Sequence, residues 1–377
     1  MKKVCDIINA VMFFGFIAAF FVLALVLPKE DFSESENRYL AELPEFSAQS
    51  YFSGEFIENL SEYMDDHFPA RRNWISLRTR LELLQGKKLV NGVCILGSPY
   101  EQMVLIEEEA DYDTVDKSIA AINDFAESID APVYLMVAPT AAGVYADVVP
   151  DYSGTLDQQE LINYVYENTS DSVSDLDVFD ALKNARDNYI YYRTDHHWTS
   201  RGAYIAYVES AAKMGFTPAS VDRFNIMHAS HSFYGSLHSK TLYNGIEADT
   251  VDFYISNSKT VTLKRTLSDG EYVGSPFLSS YLSYKDKYLS FLGENAPLVS
   301  LRSDVQQMKM LVIKDSYANC FVPFLAENCS DIDVIDLRYM TNPADYVDVS
   351  EYDCVLILYN ADNFATDTNL VKLNLIN

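Results

Sequence analysis

Thr194-Asp195-His196-His197-Trp198-Thr199 puts two of the chain's six histidines and one of its two tryptophans directly behind an aspartate. An aspartate two residues before a histidine can hold the imidazole by one ring nitrogen and fix its tautomer, leaving the other nitrogen to work as a base. Asp195 and His197 form such a pair, and it needs a nucleophile from elsewhere. Ser316 is the best candidate, in Met310-Leu311-Val312-Ile313-Lys314-Asp315-Ser316-Tyr317-Ala318-Asn319. An apolar run, a hydroxyl and then a helix make a strand–nucleophile–helix turn. That layout exposes the hydroxyl and aims a helix amino terminus at developing negative charge. The chemistry implied is acyl transfer through an acyl-serine.

Two other readings compete for the same residues. Asp195, His196 and His197 offer oxygen and nitrogen ligands, but chain neighbours seldom converge on one ion and the sequence shows no second ligand cluster, so no metal is expected. A purely structural reading has Asp195 capping a helix and the histidines packing under Trp198. His67, between Asp65-Asp66 and a helix that starts near Pro69, reads as a capping or paired residue.

The elements that must position these side chains alternate along the chain. Tyr189-Ile190-Tyr191-Tyr192 reads as a short strand, and a helix follows from Ser200 with Thr199 or Ser200 as its cap. The cluster then falls at the carboxyl end of a strand, where sites in α/β folds tend to sit. Helices are expected at about 54–64, 69–85, 112–128, 158–168 and 181–186, and strands at 132–138, 176–180, 310–313, 333–337 and 354–359. Alternation at these lengths predicts an α/β fold, a parallel sheet with helices on both faces. Residues 216–300 break the rhythm and read as a β-containing insertion. The expected organisation is 1–28 as cytoplasmic stub and anchor, 29–110 as connector and helical region, and 111–377 as the main domain.

Composition narrows the function. Lys and Arg number 28 against 55 Asp and Glu, a net charge of −27. So acidic a chain repels phosphate backbones, and no nucleic acid partner is expected. Ile7 through Leu27 carries no charge. As a helix it reaches roughly 31 Å, matching a hydrocarbon core of about 30 Å. Lys2 and Lys3 precede it, while Lys29 is followed at once by Glu30 and Asp31. The positive-inside rule puts the amino terminus in the cytoplasm and the rest outside, on a single span. A cleaved signal peptide is the rival, without a convincing small-x-small site before Pro28. Cys94, Cys320, Cys329 and Cys354 fit neither a metal module nor a dense disulfide framework, and their pairing is left open.

Several stretches in order resemble the DHHW family of exported bacterial proteins, relatives of the alginate O-acetylation proteins with an SGNH-hydrolase-like domain. They are Glu36-Asn37-Arg38, Asp66-His67-Phe68-Pro69-Ala70-Arg71, Thr194-Asp195-His196-His197-Trp198-Thr199, Phe233-Tyr234-Gly235-Ser236-Leu237, Lys285-Asp286-Lys287-Tyr288, Lys314-Asp315-Ser316-Tyr317 and Asp336-Leu337-Arg338-Tyr339. The resemblance implies a flavodoxin-like three-layer sheet and a triad of Ser316 as nucleophile, His197 as base and Asp195 as orienter. It implies O-acetyl transfer to a polysaccharide, with a membrane-bound O-acyltransferase as acetyl donor and no soluble cofactor. A carbohydrate acetyl esterase and a catalytically silent scaffold or glycan-binding subunit are the alternatives. For the oxyanion or substrate the candidates are the Ser316 N–H, Gly235, Asn295 and Tyr317.

Overall fold

The structure is a computed structural model that describes residues 2–107, 109–267, 270–305 and 308–376. The chain divides into two compact units, Met1–Lys87 with Ser239–Asn244, and Lys88–His238 with Gly245–Asn377.

The first unit opens with helix α1 (Lys2–Val26), of which Lys3–Val26 is long and apolar enough to cross a membrane. A ribbon of β1 (Phe32–Ser33) and β2 (Arg38–Tyr39) follows, then α2 (Ala48–Ser53), α3 (Glu55–Asp66) and α4 (Arg71–Leu84). Asp66 is buried at the end of α3. Its carboxylate accepts both arms of the Arg38 guanidinium, and Arg38 and Arg71 together hold Glu36. His67 follows as the α3 cap, its Nε2 3.0 Å from the Ala41 carbonyl. These motif residues therefore meet in one ion cluster.

The second unit is built on an eight-stranded sheet. Its order is β11 (Gly270–Gly274), β10 (Val261–Leu267), β12 (Leu298–Ser303), β14 (Asp331–Ile335), β13 (Lys309–Lys314), β15 (Cys354–Asn360), β6 (Val133–Ala138) and β7 (Val173–Asp175). From β14 to β7 the five strands run parallel. The three at the other edge run antiparallel. The expectation of a parallel sheet is thus corrected at that edge, since β10 and β11 are only two residues apart in sequence, too few for the crossover that parallel neighbours need.

Alternate residues of the parallel strands feed two separate cores. Tyr134, Met136 and Ala138 pack with α9 (Ser200–Ala211) and α11 (Ala318–Leu325) on one face. Val133, Leu135 and Val137 pack with α5 (Tyr112–Ser128), α7 (Gln158–Asn168) and α12 (Ala361–Phe364) on the other. Both faces being covered explains why these strands read as unbroken apolar runs. A ribbon of β8 (Phe224–Phe233) and β9 (Asp249–Ser256) lies outside this sheet, as do β3 (Leu89–Val90), β4 (Val93–Leu96) and β5 (Gln102–Leu105). Short helices α6 (Ala141–Val144), α8 (Phe179–Asn184) and α10 (Ser236–Thr241) complete the set used below.

Two local expectations change. The strand expected at 176–180 lies earlier, at β7, because Asp177 Oδ1 accepts from Phe179 N and turns the chain into α8. Tyr189–Tyr192 forms no sheet strand. Tyr189 takes a left-handed φ of 54°, and Tyr191 pairs with Trp198 in an isolated antiparallel bridge. The Asp-His-His-Trp cluster is therefore the tip of a hairpin rather than the end of a sheet strand. Cys94, Cys320, Cys329 and Cys354 are buried free thiols.

Candidate active site

The hairpin at 191–198 is fixed before any chemistry is considered. Tyr192 N donates to His197 O and Thr199 N to Ile190 O, closing it. From β5, Met103 N donates to Arg193 O at 2.8 Å and the Gln102 amide to Tyr192 O at 2.6 Å. Fully buried Asp249 accepts from Arg193 N, Thr194 N, the Thr194 hydroxyl and the Tyr189 hydroxyl. Thr199 Oγ1, not Asp195, caps α9.

Freed from capping α9, Asp195 faces its own hairpin. Oδ1 accepts from His197 N at 3.0 Å and lies 2.6 Å from His197 Nδ1, while Oδ2 accepts from Ser236 N at 2.8 Å. Burial alone would raise this carboxyl, but the two imidazoles, the His197 hydrogen bond and the Ser236 N–H outweigh it and hold it well below the usual carboxylate range. An ionised Asp195 on Nδ1 makes His197 carry its proton there and present a bare Nε2. That Nε2 lies 2.8 Å from Ser316 Oγ, across 119 residues of chain.

Ser316 follows the central strand β13. Asp315 N extends the ladder to Leu358 O, and the chain then turns. Asp315 Oδ1 accepts from Tyr317 N at 2.8 Å, a turn of the kind aspartate makes with the backbone two residues on. Its Oδ2 accepts from Asn360 N, the Asn360 amide and the Asn363 amide. The acid before the serine is thus a clamp tying the Ser316 turn to the end of β15. Beneath it, buried Lys314 donates to Asn319 Oδ1 at 2.8 Å and lies 3.4 Å from Asp336, which Arg338 grips with two nitrogens. Burial would raise the Asp336 carboxyl, yet Arg338 and Lys314 keep it below its ordinary value.

Tryptophan and tyrosine rings lock the two segments together. Trp198 Nε1 donates to Tyr317 O at 2.9 Å, and the Tyr317 hydroxyl donates back to His196 O at 2.6 Å. Tyr288 stacks on His197 and donates from its hydroxyl to Ser316 O. Neither Tyr288 nor Asp249 is singled out by residue type. Tyr288 falls within a motif stretch, whereas Asp249 has no sequence signal.

His196 points elsewhere. Its Nδ1 is 2.7 Å from Ser236 Oγ, and burial with the adjacent His197 pushes its pKa down to about 4, so it is neutral near pH 7. Ligand atoms of Asp195, His196 and His197 do lie within 4.8 Å of one another. The hydrogen bonds above already engage His196 Nδ1 and both nitrogens of His197.

The oxyanion candidates are spread apart. Gly235 N donates to Thr194 Oγ1 at 3.1 Å, and a Cβ here would sit 2.4 Å from Asp195 Oδ2. Its bareness makes room for the acid. Asn295 donates from its amide to the Tyr339 hydroxyl, and Tyr317 N is spent on Asp315. Among the described residues the Ser316 N–H meets no acceptor, and it sits at the amino end of α11.

A family model described as DHHW protein matches residues 113–335, a span that holds both the hairpin and the serine. The chain belongs to the DHHW family. A crystal structure of a DHHW family protein from Eubacterium siraeum is similar at 23% identity over 76% of this chain and 96% of that one, with TM-score 0.65. Bacillus cereus PatB1 is similar at 19% identity over 73% and 98%, TM-score 0.63. PatB1 with a sulfonyl adduct gives 19%, 74%, 98% and 0.62. At these identities the likeness is one of fold. No curated protein matches the chain. In this DHHW protein the four signature letters divide their work: Asp195 holds the second histidine, which meets Ser316, the first histidine meets Ser236, and the tryptophan braces the turn at Ser316.

Proposed function

We propose that this DHHW protein is a membrane-anchored, extracytoplasmic O-acetyltransferase that modifies a cell-surface or secreted polysaccharide through an acetyl-serine. What carries the reading is the 2.8 Å contact between His197 Nε2 and Ser316 Oγ, with Asp195 2.6 Å from the far nitrogen. Ser316 Oγ attacks the acetyl carbonyl carbon as its proton moves to Nε2. The carbonyl oxygen takes the negative charge, beside the Ser316 N–H and the amino end of α11. Collapse breaks the bond to the donor, which leaves with the His197 proton. A sugar hydroxyl then gives its proton to Nε2 and attacks acetyl-Ser316, releasing the acetylated sugar and the free serine. Asp195 stabilises the imidazolium in both halves.

A sulfonyl adduct is known for PatB1. A sulfonyl group is tetrahedral, as the acyl-transfer intermediate is, so a sulfonylating reagent is a fitting test of Ser316. The covered faces of the sheet support an SGNH-hydrolase-like three-layer arrangement for residues 111–377, with 216–300 inserted. Residues 1–28 act as stub and anchor, and 29–110 as connector and helical region. The acetyl donor is a membrane-bound O-acyltransferase, and the span would keep the serine beside it.

The deciding experiment gives the full chain an activated acetyl ester and reads intact mass. An added acetyl group that disappears in Ser316→Ala and His197→Ala is expected. Neither adduct nor ester turnover would overturn acyl transfer and leave a scaffold. Turnover to free acetate that added glycan acceptors do not divert would make the protein an esterase.

A further inference from the structure

The side chains around His197 differ in how open they are. Trp198, Tyr288 and Tyr317 are buried, and the side chains of Asp195 and His197 are 4% and 8% exposed. The His196 side chain is 34% exposed, and Ser236 and Ser316 are half-buried. Tyr288 covers one face of the His197 ring. The His196 ring, its centroid 3.9 Å from that of His197, is the neighbour that solvent reaches. A molecule arriving from solvent at His197 and Ser316 therefore meets His196.

His196 is held in place and has a nitrogen to spare. The Tyr317 hydroxyl donates to its carbonyl, and Ser236 Oγ lies 2.7 Å from its Nδ1. Ser236 N in turn donates to Asp195 Oδ2, so one residue fixes both the acid and this second ring. His196 Nε2 meets no partner among the described residues. The ring is neutral near pH 7. Whichever tautomer Ser236 selects, Nε2 then donates or accepts a hydrogen bond, and a hydroxyl answers either.

The two rings suit two oxygens, not one. The attacking hydroxyl gives its proton to His197 Nε2 and needs its lone pair for the acetyl carbon, so a second N–H on that oxygen would slow it. Rings packed side by side instead match oxygens on adjacent carbons. We propose that His196 Nε2 holds the hydroxyl next to the one being acetylated, so that the acceptor is a sugar ring with two neighbouring free hydroxyls. No bond is made or broken at His196. The new ester forms as the bond to Ser316 Oγ breaks, and the proton on His197 returns to that oxygen. The exocyclic hydroxyl of a hexose, whose neighbouring carbon bears the ring oxygen, lacks the second hydroxyl and is disfavoured. This rests on acyl transfer at Ser316 and adds the class of acceptor.

The test compares ethylene glycol, the simplest acceptor with a neighbouring hydroxyl, with ethanol. The full chain is given nitrophenyl acetate together with one alcohol or the other, and the acetyl esters and free acetate formed are counted by NMR. The readout is the ratio of transfer to glycol over transfer to ethanol, in the unaltered chain and in His196→Phe, which keeps a ring but has no nitrogen. The intrinsic reactivities of the two alcohols cancel in that comparison. The ratio counts only the fate of acetyl-Ser316, so a slower acylation does not move it. It should fall about tenfold in His196→Phe and recover in part in His196→Gln, whose amide reaches the place of Nε2. An unchanged ratio in His196→Phe would make His196 a support for the His197 ring and overturn the proposal. Intact mass separates the two failures. An acetyl adduct with an unchanged ratio sinks this proposal alone, whereas no adduct on the unaltered chain sinks the reading of function and this proposal with it.

Discussion

Tyr288 lies flat on His197, with ring centroids 3.7 Å apart and planes 10° apart, and donates from its hydroxyl to the Ser316 carbonyl at 2.9 Å. One buried side chain thus sets both the plane of the His197 ring and the backbone at Ser316. Tyr288→Phe keeps the stacking face and loses only the hydroxyl's bonds to Ser316 O and Cys320 Sγ, whereas Tyr288→Ala loses the stacking as well. Acylation rates by rapid quench should fall about tenfold for Phe and about a hundredfold or more for Ala. Equal rates in the two variants would show that the ring face does not position His197.

Asp195→Asn should lower the acylation rate about ten-thousandfold while leaving the fold intact, because an amide can hold the wrong imidazole tautomer. His196→Ala should stay well short of the roughly hundredfold loss expected of a residue that moves the proton. Circular dichroism of both variants separates chemistry from misfolding.

Gly235→Ala tests the space around the acid. A Cβ would meet the Asp195 Cβ at 2.3 Å, so Asp195 must shift and its bonds to His197 and Ser236 must lengthen. A displacement of this kind is expected to cost about a hundredfold in acylation. Activity equal to that of the unaltered chain would mean the acid tolerates displacement.

Asp249 makes a purely structural prediction. Asp249→Ala strands four donors in the interior, from Tyr189, Arg193 and Thr194. The stability lost should exceed about 3 kcal/mol in urea unfolding. Asp249→Asn, which can still accept some of these bonds, should recover part of it.

Asp286 sets a pH dependence. Burial and the nearby Asp195 raise its carboxyl to about 6. An unfolded aspartate releases its proton near about 3.9. The folded chain therefore holds a proton that the unfolded chain has lost. Stability is full below the unfolded value and declines as pH rises through 6. Asp286→Asn can still accept from Tyr288 N, and should flatten that decline and gain about 1–2 kcal/mol at neutral pH. Urea midpoints on either side of the transition check it.

How much of this was legible in the residues varies with what held each element. Tyr112–Ser128 and Gln158–Asn168 stand where the sequence put them, since each helix has an aspartate cap and one apolar face. The central strands were equally plain because a strand buried on both sides must be apolar throughout. Tyr189–Tyr192 misled for the same reason. Ile190, Tyr191 and Tyr192 are as buried as a central strand, but they line a hairpin pinned by Asp249 and Gln102, and burial alone does not reveal the partner. The antiparallel edge was hidden likewise, because pairing direction follows from connections, not composition. In the site, the Asp195 and His197 spacing was visible as local sequence. Their distance to Ser316 depends on tertiary packing that no local pattern encodes.

The turn at Ser316 leans on β15. Asp315, next to Ser316, is clamped by Asn360 and Asn363, and its ladder bond runs to Leu358. During synthesis residues near the amino terminus emerge first. Asp195 and His197 are therefore made long before the segment that fixes Ser316. A chain still being made carries Asp195 and His197 without the turn that brings Ser316 to them. Vectorial synthesis thus delays the contact between His197 and Ser316 until β15 and the turn after it have been made.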